Sequence, residues 1–174
     1  FRSTQGSRVI DIENLDISTT LEYLKNKELK SLELTEFFID KIQSNVNLNC
    51  FITETFEIAL SKARESDEKL QKGKEIGQLE GIPIGMKDLF CTNGVTTTAG
   101  SKILHNFVPF YESTVSNNLW NDGAIMLGKT NMDEFAMGSA NTTSYFGNVI
   151  NPLKSNKNNS ENLVPGGSSG GSAS

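Results

Sequence analysis

The sequence has few of the residues that disulfide-stabilised and metal-binding proteins need. Its 174 residues include two cysteines, Cys50 and Cys91, and one histidine, His105. So few cysteines build no disulfide framework, and we expect reduced thiols. Zinc sites need more soft ligands than these, so we expect no metal and no cofactor in the chain. A nucleophile–base pair of Cys91 with His105 is a weak alternative, because a small buried thiol is the ordinary role of a cysteine beside a strand.

Long apolar runs and an excess of basic residues are also absent. No stretch approaches the ~18 consecutive apolar residues of a membrane-spanning helix. We therefore expect a soluble protein of the cytoplasm or, alternatively, of an organelle of bacterial origin. The 16 Lys and Arg residues stand against 21 Asp and Glu residues, which gives a net charge of −5. Proteins that grip nucleic acid need a basic excess to neutralise phosphates, so this surface is not expected to bind RNA by itself.

The first part of the chain is predicted to be helical after a short leader. The leader covers residues 1–17, and residues 1–8 carry two arginines and no acid, as in an organelle transit remnant or added sequence. From 18 to 72, apolar residues recur at helical spacing, and Ser31 is placed as the N-cap of the second helix. The predicted elements are helices over 18–27, 32–46 and 55–71, with a buried strand over 48–53.

The pattern changes at Gly73, where an α/β core is predicted to begin and to run to residue 174. Residues 82–86 and 124–127 are short apolar runs, typical of strands buried in a sheet. A helix capped by Ser113 and ended by Gly123 lies between them. Strand, crossover helix and strand form a βαβ unit. The expected fold class is therefore α/β: N-terminal helices plus the start of a mixed or parallel sheet flanked by helices.

A phosphate-loop pattern, GAIMLGKT, occurs at residues 123–130. Alone, it would indicate ATP or GTP binding. A phosphate loop, however, needs a strand before its first glycine and small flexible residues between its glycines. Here the end of a helix precedes Gly123, and the intervening residues are the predicted strand. We therefore interpret the segment as helix end, strand and turn, with nucleotide binding as the weaker alternative.

Lys87 follows the apolar run 82–86 directly and precedes Asp88. Open α/β sheets bind their ligands at the carboxyl ends of strands. Apolar walls at such a position disfavour the ammonium ion and lower the pKa of the amine, and a neutral amine is a general base. An equally weighted alternative is a surface lysine paired with Asp88.

Residues 165–173, PGGSSGGSA, surround a serine pair with four glycines. Composition alone indicates a flexible linker. The apolar entry Leu163-Val164 argues against a linker, and such glycines suit the unusual backbone of an active-site turn. Residues 131–139 are predicted to form a turn or short helix at the carboxyl edge of the sheet, where Lys87 also lies.

Three blocks in this order resemble the amidase signature family: GIPIGMKD at 81–88, LGKTNMDEFAMGS at 127–139 and VPGGSSGGSA at 164–173. The resemblance extends from about residue 18 to the end, and it implies that the chain is the N-terminal part of an amidase domain. It also implies acyl transfer by a Ser–Ser–Lys triad. By position, Lys87 is the triad lysine and Ser168 is the bridging serine, which follows a cis peptide bond from Gly167.

The resemblance implies a proton relay. Neutral Lys87 accepts a proton from Ser168 Oγ, and Ser168 then deprotonates a second serine, which attacks a carboxamide carbon. That nucleophile and the oxyanion hole are expected beyond residue 174, so we expect the stretch alone to be inactive. Gly138 and Ser139 are expected to line the substrate pocket. The Asn-rich loop at 155–162 is longer than usual for the family, and its conformation is not implied.

Within the family, YEST at 111–114 and SYFGNVINP at 144–152 resemble the branch that hydrolyses glutamine for tRNA-dependent amidation. This branch converts misacylated Glu-tRNA(Gln) into Gln-tRNA(Gln). The implied partners are a B subunit, which handles tRNA and uses ATP and Mg²⁺, and a small C subunit. Two alternatives stay open: a stand-alone amidase acting on a small carboxamide, and a non-catalytic interaction module.

Overall fold

The computed structural model describes residues 10–153 and 162–174. The predicted transit-like stretch 1–8 lies outside these residues, as does the Asn-rich loop at 155–162 apart from Asn162. The helices are α1 (Ile17–Lys25), α2 (Ser31–Ser44), α3 (Phe56–Gln71), α4 (Thr114–Asn121) and α5 (Gly170–Ala173). The strands are β1 (Phe51–Glu54), β2 (Pro83–Lys87) and β3 (Ile125–Thr130). None of these helices is long and apolar enough to cross a membrane.

The chain divides into two compact units whose sequence ranges interleave. The first unit comprises the described residues up to Ser44, with Thr55–Ile84 and Asn118–Leu127. The second unit comprises Asn45–Glu54, Gly85–Asn117 and the described residues from Gly128 onward. All of the predicted site residues belong to the second unit.

The first unit is built around an apolar core to which its helices contribute their predicted faces. Ile10 and Ile12, which the sequence analysis placed in a leader, are buried in this core, because a 3₁₀ turn at Ile12–Asn14 brings the segment against it. The leader prediction is therefore wrong for these residues. The other buried members of the cluster are Leu24, Leu29, Leu34 and Ile82.

The start of α2 corrects the predicted role of Ser31. Ser31 lies inside the helix, and its hydroxyl donates to the carbonyl of Gly81 at 2.9 Å instead of capping the helix. The cap is the carboxylate of Asp67, which accepts from the backbone N–H groups of Ser31 and Leu32 at 2.7 and 3.1 Å. A neighbouring helix thus satisfies amides that α2 cannot satisfy itself.

The three strands form a mixed sheet in the order β1-β3-β2. β1 pairs antiparallel with β3, and Phe51 lies opposite Thr130. β2 runs parallel to β3, since Ile125 N–H donates to the carbonyl of Ile82 at one end and Asp88 N–H donates to the carbonyl of Thr130 at the other. The predicted α/β class is confirmed.

Helix α4 connects β2 and β3 as the sequence predicts. Ser113 Oγ accepts from the backbone N–H of Ser116 at 3.1 Å, which confirms the N-cap. Gly123 has a φ of 85°, a left-handed backbone that ends the helix. β3 is longer than the predicted run 124–127 and continues through Thr130, with every residue buried.

Candidate active site

The structure places Lys87 against the Gly/Ser segment. Lys87 is the last residue of β2, and its Nζ lies 2.8 Å from Oγ of Ser168 and 2.7 Å from Oγ of Ser169. Lys87 and Ser168 are 81 positions apart in the sequence. The alternative of a surface lysine paired with Asp88 is wrong, because the Asp88 carboxylate accepts instead from the backbone N–H of Thr98 at 3.0 Å.

The Gly/Ser segment is an ordered part of the second unit and not a linker. The peptide bond between Gly167 and Ser168 is cis, as the family resemblance implies. Directly after the serine pair the chain enters α5, in which Gly170 and Gly171 are buried. The segment therefore presents the hydroxyls of Ser168 and Ser169 to Lys87 from a fixed backbone.

Asp133 ties this backbone to the neighbouring loop. Its N–H donates to the carbonyl of Ser168 at 3.1 Å. Its carboxylate accepts from the backbone N–H groups of Asn141, Thr142 and Thr143 at 2.9, 3.0 and 3.2 Å, and from Oγ1 of Thr143 at 2.9 Å. Burial opposes ionisation of Asp133, but these hydrogen bonds outweigh it and hold the pKa of the carboxyl below its ordinary value.

Of the predicted pocket residues, Gly138 lies against the carboxylate of Asp133, and Ser139 lies beside Gly167. A Cβ atom added to Gly138 would stand 2.2 Å from Cγ of Asp133, so only glycine fits there. A Cβ atom added to Gly167 would stand 2.2 Å from Oδ2 of Asp133 and 2.7 Å from the carbonyl carbon of Ser139. The structure therefore brings Gly138, Ser139 and Gly167 together around one carboxylate, while the substrate contact predicted for Gly138 and Ser139 stays a prediction.

The electrostatics of Lys87 suit a base. Burial lowers the pKa of the Lys87 amine from its ordinary value, and the charge of Asp133 acts in the opposite direction. A neutral amine has one lone pair and two N–H donors, so it can accept a proton from one hydroxyl while donating to the other. Lys87, Ser168 and Ser169 thus form a compact hydrogen-bonded group at the carboxyl end of β2.

The contacts of three residues in this region were not predicted from the sequence. Ser169 is as close to Lys87 as Ser168 is, but its position beside Ser168 was the only signal for it. Asp133 lies within one of the family-like blocks, and nothing in the spacing indicates that its carboxylate faces Gly167. Lys129 was considered only as part of a phosphate-loop pattern, although its place within an apolar run was a signal that its charge would be buried.

The structure overturns the phosphate-loop alternative. The residues from Ile125 to Thr130 are a buried strand, so they do not wrap backbone amides around an anion. The ammonium of Lys129 is instead engaged inside the protein, where it donates to the carbonyl of Phe90 at 2.5 Å.

The Cys91–His105 alternative is also wrong. Cys91 Sγ lies 3.3 Å from Oη of Tyr111, and Nδ1 of His105 lies 2.8 Å from the carbonyl of Lys102. Within residues 10–153 and 162–174, no group of three or more His, Cys, Asp or Glu side chains is arranged to hold a metal ion.

Comparison with known sequences identifies relatives of this chain. The A subunit of glutamyl-tRNA(Gln) amidotransferase from Rickettsia bellii (strain OSU 85-389) is 54% identical over 163 residues, which are 94% of this chain and 33% of the relative. The protein of the same name from Caulobacter vibrioides (strain NA1000 / CB15N) is 53% identical over 164 residues, again 94% of this chain and 33% of the relative. The chain thus spans about a third of the length of these curated relatives.

Solved structures with a similar fold include an A subunit of glutamyl-tRNA(Gln) amidotransferase and amidases of other kinds. The A subunit of glutamyl-tRNA(Gln) amidotransferase from Thermotoga maritima superposes with a TM-score of 0.68 at 30% identity, covering 95% of this chain and 32% of that one. A bacterial aryl acylamidase of the amidase signature enzymes gives a TM-score of 0.79 at 28% identity, covering 90% of this chain and 32% of that one. The peptide amidase from Stenotrophomonas maltophilia gives 0.79 at 29% identity, covering 92% of this chain and 33% of that one.

The family profile described as Amidase matches residues 33–174, which is most of the chain. This match agrees with the solved amidase signature enzymes that share the fold and with the three blocks that carry the resemblance. The chain therefore belongs to the amidase family, the amidase signature enzymes.

Proposed function

We propose that this chain contributes the lysine and bridging serine of a glutamine amidohydrolase. The ammonia it releases would convert misacylated Glu-tRNA(Gln) into Gln-tRNA(Gln). The single observation that carries the proposal is the placement of Lys87 Nζ at 2.8 Å from Ser168 Oγ. The choice of glutamine among carboxamides is supported by the 53–54% identity to relatives named as the A subunit of glutamyl-tRNA(Gln) amidotransferase.

In the proposed mechanism Lys87 acts as a neutral base. It takes the proton of Ser168 Oγ, and Ser168 in turn takes the proton of a nucleophilic serine outside residues 1–174. That serine attacks the carboxamide carbon of glutamine, and the relay then runs in reverse to protonate the departing ammonia. Gly138 and Ser139 are proposed to line the substrate pocket. Residues 1–174 on their own are proposed to be inactive, because loss of a triad nucleophile removes nearly all triad catalysis.

The proposed assembly divides the labour between subunits. A B subunit binds the tRNA and activates the glutamyl group with ATP and Mg²⁺, and a small C subunit completes the complex. The net charge of −5 supports this division, because an acidic chain suits a component that leaves tRNA binding to a partner. We place the complex in the cytoplasm.

The test is ammonia release from glutamine by the full-length protein in complex with its partner subunits. Lys87→Ala is expected to lower the turnover number by on the order of 10³-fold or more, because it removes the base. Lys62→Ala is the matched control, since Lys62 is an exposed lysine of the first unit that pairs with Glu65. Glutaminase activity that survives Lys87→Ala, or no ammonia release from the unaltered complex, would contradict the proposal.

A stand-alone amidase is the second candidate. It is favoured by the likeness to the aryl acylamidase and the peptide amidase, whose TM-scores of 0.79 exceed the 0.68 of the Thermotoga protein. The two candidates differ in their need for partners. Full activity of the isolated full-length protein on simple aryl or peptide amides, with no response to partner subunits, would replace the glutaminase proposal with this one.

A further inference from the structure

The proposed mechanism gives no role to the buried side chain of Lys129 on β3. Lys129 is fully buried, and its Nζ donates to the carbonyl of Phe90 at 2.5 Å, to Oγ1 of Thr97 at 2.9 Å and to Oγ1 of Thr92 at 3.1 Å. These three acceptors match the three N–H donors of an ammonium ion. A buried charge with all of its donors used has a defined position in the protein.

The two threonines are oriented to accept from this ammonium. The hydroxyl of Thr92 donates to the carbonyl of Phe90 at 3.2 Å, and that of Thr97 donates to the carbonyl of Val95 at 3.1 Å. Their hydrogens are thus directed to backbone carbonyls, and their lone pairs are left for Lys129. The three acceptors match the three N–H groups of a charged lysine. If Lys129 were neutral, one of these acceptors would lack a donor.

Burial lowers the pKa of Lys129 to about 8, while the negative charges of Asp88 and Glu112 act to raise it. The group therefore carries its proton at neutral pH. This agrees with the three acceptors around Nζ, and it identifies Lys129 as a fixed cation and not as a second base.

Lys129 is connected to Lys87 through a single residue. The N–H of Phe90 donates to the carbonyl of Lys87 at 3.1 Å, which closes a turn directly after β2. The carbonyl of the same Phe90 is the nearest acceptor of Lys129. The ammonium of Lys129 thus binds the carbonyl of Phe90, while the N–H of Phe90 binds the carbonyl of Lys87.

The loop that begins with this turn runs to Gly100, and Asp88 binds its other end at residues 98–100. Its backbone carbonyl accepts from the N–H of Ala99 at 2.9 Å, and its Oδ2 accepts from the N–H groups of Thr98 and Gly100 at 3.0 and 3.4 Å. The loop from Asp88 to Gly100 is therefore closed on Asp88, and Lys129 fills its interior. Removing Lys129 would leave the closure at Asp88 intact but would free the turn next to Lys87.

We propose that Lys129 is a positioning residue for Lys87: its buried ammonium fixes the turn from Lys87 to Phe90 and so holds the Lys87 amine between Ser168 and Ser169. The proposal rests on the proposed function only where it concerns turnover. The structural half of the proposal, that Lys129 orders the turn, stands on the contacts alone and has its own test.

The test uses the full-length protein in complex with its partners and the variant Lys129→Met, which keeps the length of the side chain and removes its charge. Displacing a catalytic group by about 1 Å can cost on the order of 10²-fold in rate. We expect Lys129→Met to lower the turnover number for glutamine by at least about tenfold, to leave KM within about twofold and to shift the acid limb of the pH–rate profile. Lys62→Met is the control and is expected to change none of these.

Hydrogen exchange gives a readout that does not depend on activity. Lys129→Met is expected to speed the exchange of the amides of residues 90–95, and to leave those of residues 98–100 and of α3 unchanged. Thr97→Val, which removes one acceptor and keeps the shape, is expected to change the same amides and the same pH limb by less, and it serves if Lys129→Met fails to fold. Unchanged exchange, or an unchanged pH–rate profile, in a folded variant overturns the inference.

Failure of this inference can be told from failure of the proposed function. An unaltered complex that releases no ammonia contradicts the function and leaves the exchange experiment to decide the role of Lys129. A complex that is inactivated by Lys87→Ala but indifferent to Lys129→Met contradicts the positioning role alone.

Discussion

The two units of this chain are stabilised in different ways. The first unit buries aliphatic side chains such as Leu24, Leu29 and Leu34 and has ion pairs such as Lys62–Glu65 at its surface, with Glu80 as a buried acid that pairs with Lys69. The second unit buries charged and polar side chains, among which Lys129 and Asp133 hydrogen-bond to backbone groups and hydroxyls. Its fully buried members include Asp88, Lys129, Asn131, Asp133 and Asn141.

The difference has an energetic consequence. Aliphatic burial stabilises without direction, so a substitution in the first unit changes the free energy of unfolding and has little effect on geometry elsewhere. Burying a charge lowers the free energy of unfolding unless its hydrogen bonds are complete. In the second unit such buried charges fix the backbone around Lys87 and Ser168. We therefore expect substitutions in the second unit to change turnover and those in the first unit to change stability.

The largest effect on turnover within the Gly/Ser segment is expected from Ser168→Ala. In the proposed mechanism, loss of the Ser168 hydroxyl interrupts the proton relay, so the turnover number should fall by on the order of 10³-fold. Ser169→Ala should cost less, on the order of tenfold, because Ser169 orients the Lys87 amine and does not carry the transferred proton. Steady-state kinetics of glutamine hydrolysis by the full-length complex measures both, and an equal loss in the two variants would contradict the assignment of the relay to Ser168.

The next effect is expected from Asp133→Asn, measured as a pH–rate profile. In the proposed mechanism turnover requires neutral Lys87, so activity is lost as the pH falls through the pKa of that amine. The charge of Asp133 raises this pKa, and its removal should move the acid limb to lower pH. The maximal rate should fall by about tenfold, because the carboxylate that holds Thr142 and Thr143 is lost. A shift of the limb to higher pH would show that the field of Asp133 does not act on the base.

In the first unit, Leu24→Ala is expected to leave turnover per folded molecule unchanged. Leu24 is 1% exposed, so its truncation leaves a cavity and should cost about 2–5 kcal/mol of unfolding free energy. Thermal denaturation with activity measured below the transition separates the two quantities. A loss of turnover in the folded variant would break the comparison between the units.

The smallest effect is expected from Glu65→Ala. Its partner Lys62 and Glu65 itself both have more than half of their side chains exposed, at 58% and 52%. Such surface pairs contribute at most about 1 kcal/mol, and most contribute less. We expect the midpoint of thermal denaturation and the turnover number to stay at their unaltered values, and a clear change in either would show that surface pairs matter more here than elsewhere.

The same contrast explains what could be predicted from the sequence. The period of apolar residues gave α3 and β2 close to their observed bounds, because a face that must be buried imposes that period. The N-cap prediction failed at Ser31, because the cap comes from Asp67, 36 positions away. The apolar period also failed to indicate that Ile10 and Ile12 are buried, since two apolar residues are too few to show a period.

The site was predicted partly from local context and partly from the family resemblance. Lys87 was selected by its position after an apolar run, the matching blocks paired it with Ser168, and the structure brings the two side chains within 2.8 Å. Asp133 and Lys129 lay in the same blocks, but Asp133 binds backbone amides and a hydroxyl of residues 141–143, and Lys129 binds a carbonyl and hydroxyls from a loop more than thirty positions away. Hydrogen bonds of this kind leave no spacing pattern in the sequence, because almost every residue can supply a backbone group.

The central claim is that Lys87 carries an amine able to act as an uncharged base. Competitive chemical labelling of the full-length protein, with the extent of Lys87 modification read by mass spectrometry across a pH series, measures the pKa of this one amine. The account predicts a midpoint below 10.5, the ordinary value for lysine, because burial beside Ser168 and Ser169 disfavours the ammonium ion. A midpoint at or above 10.5 would contradict it.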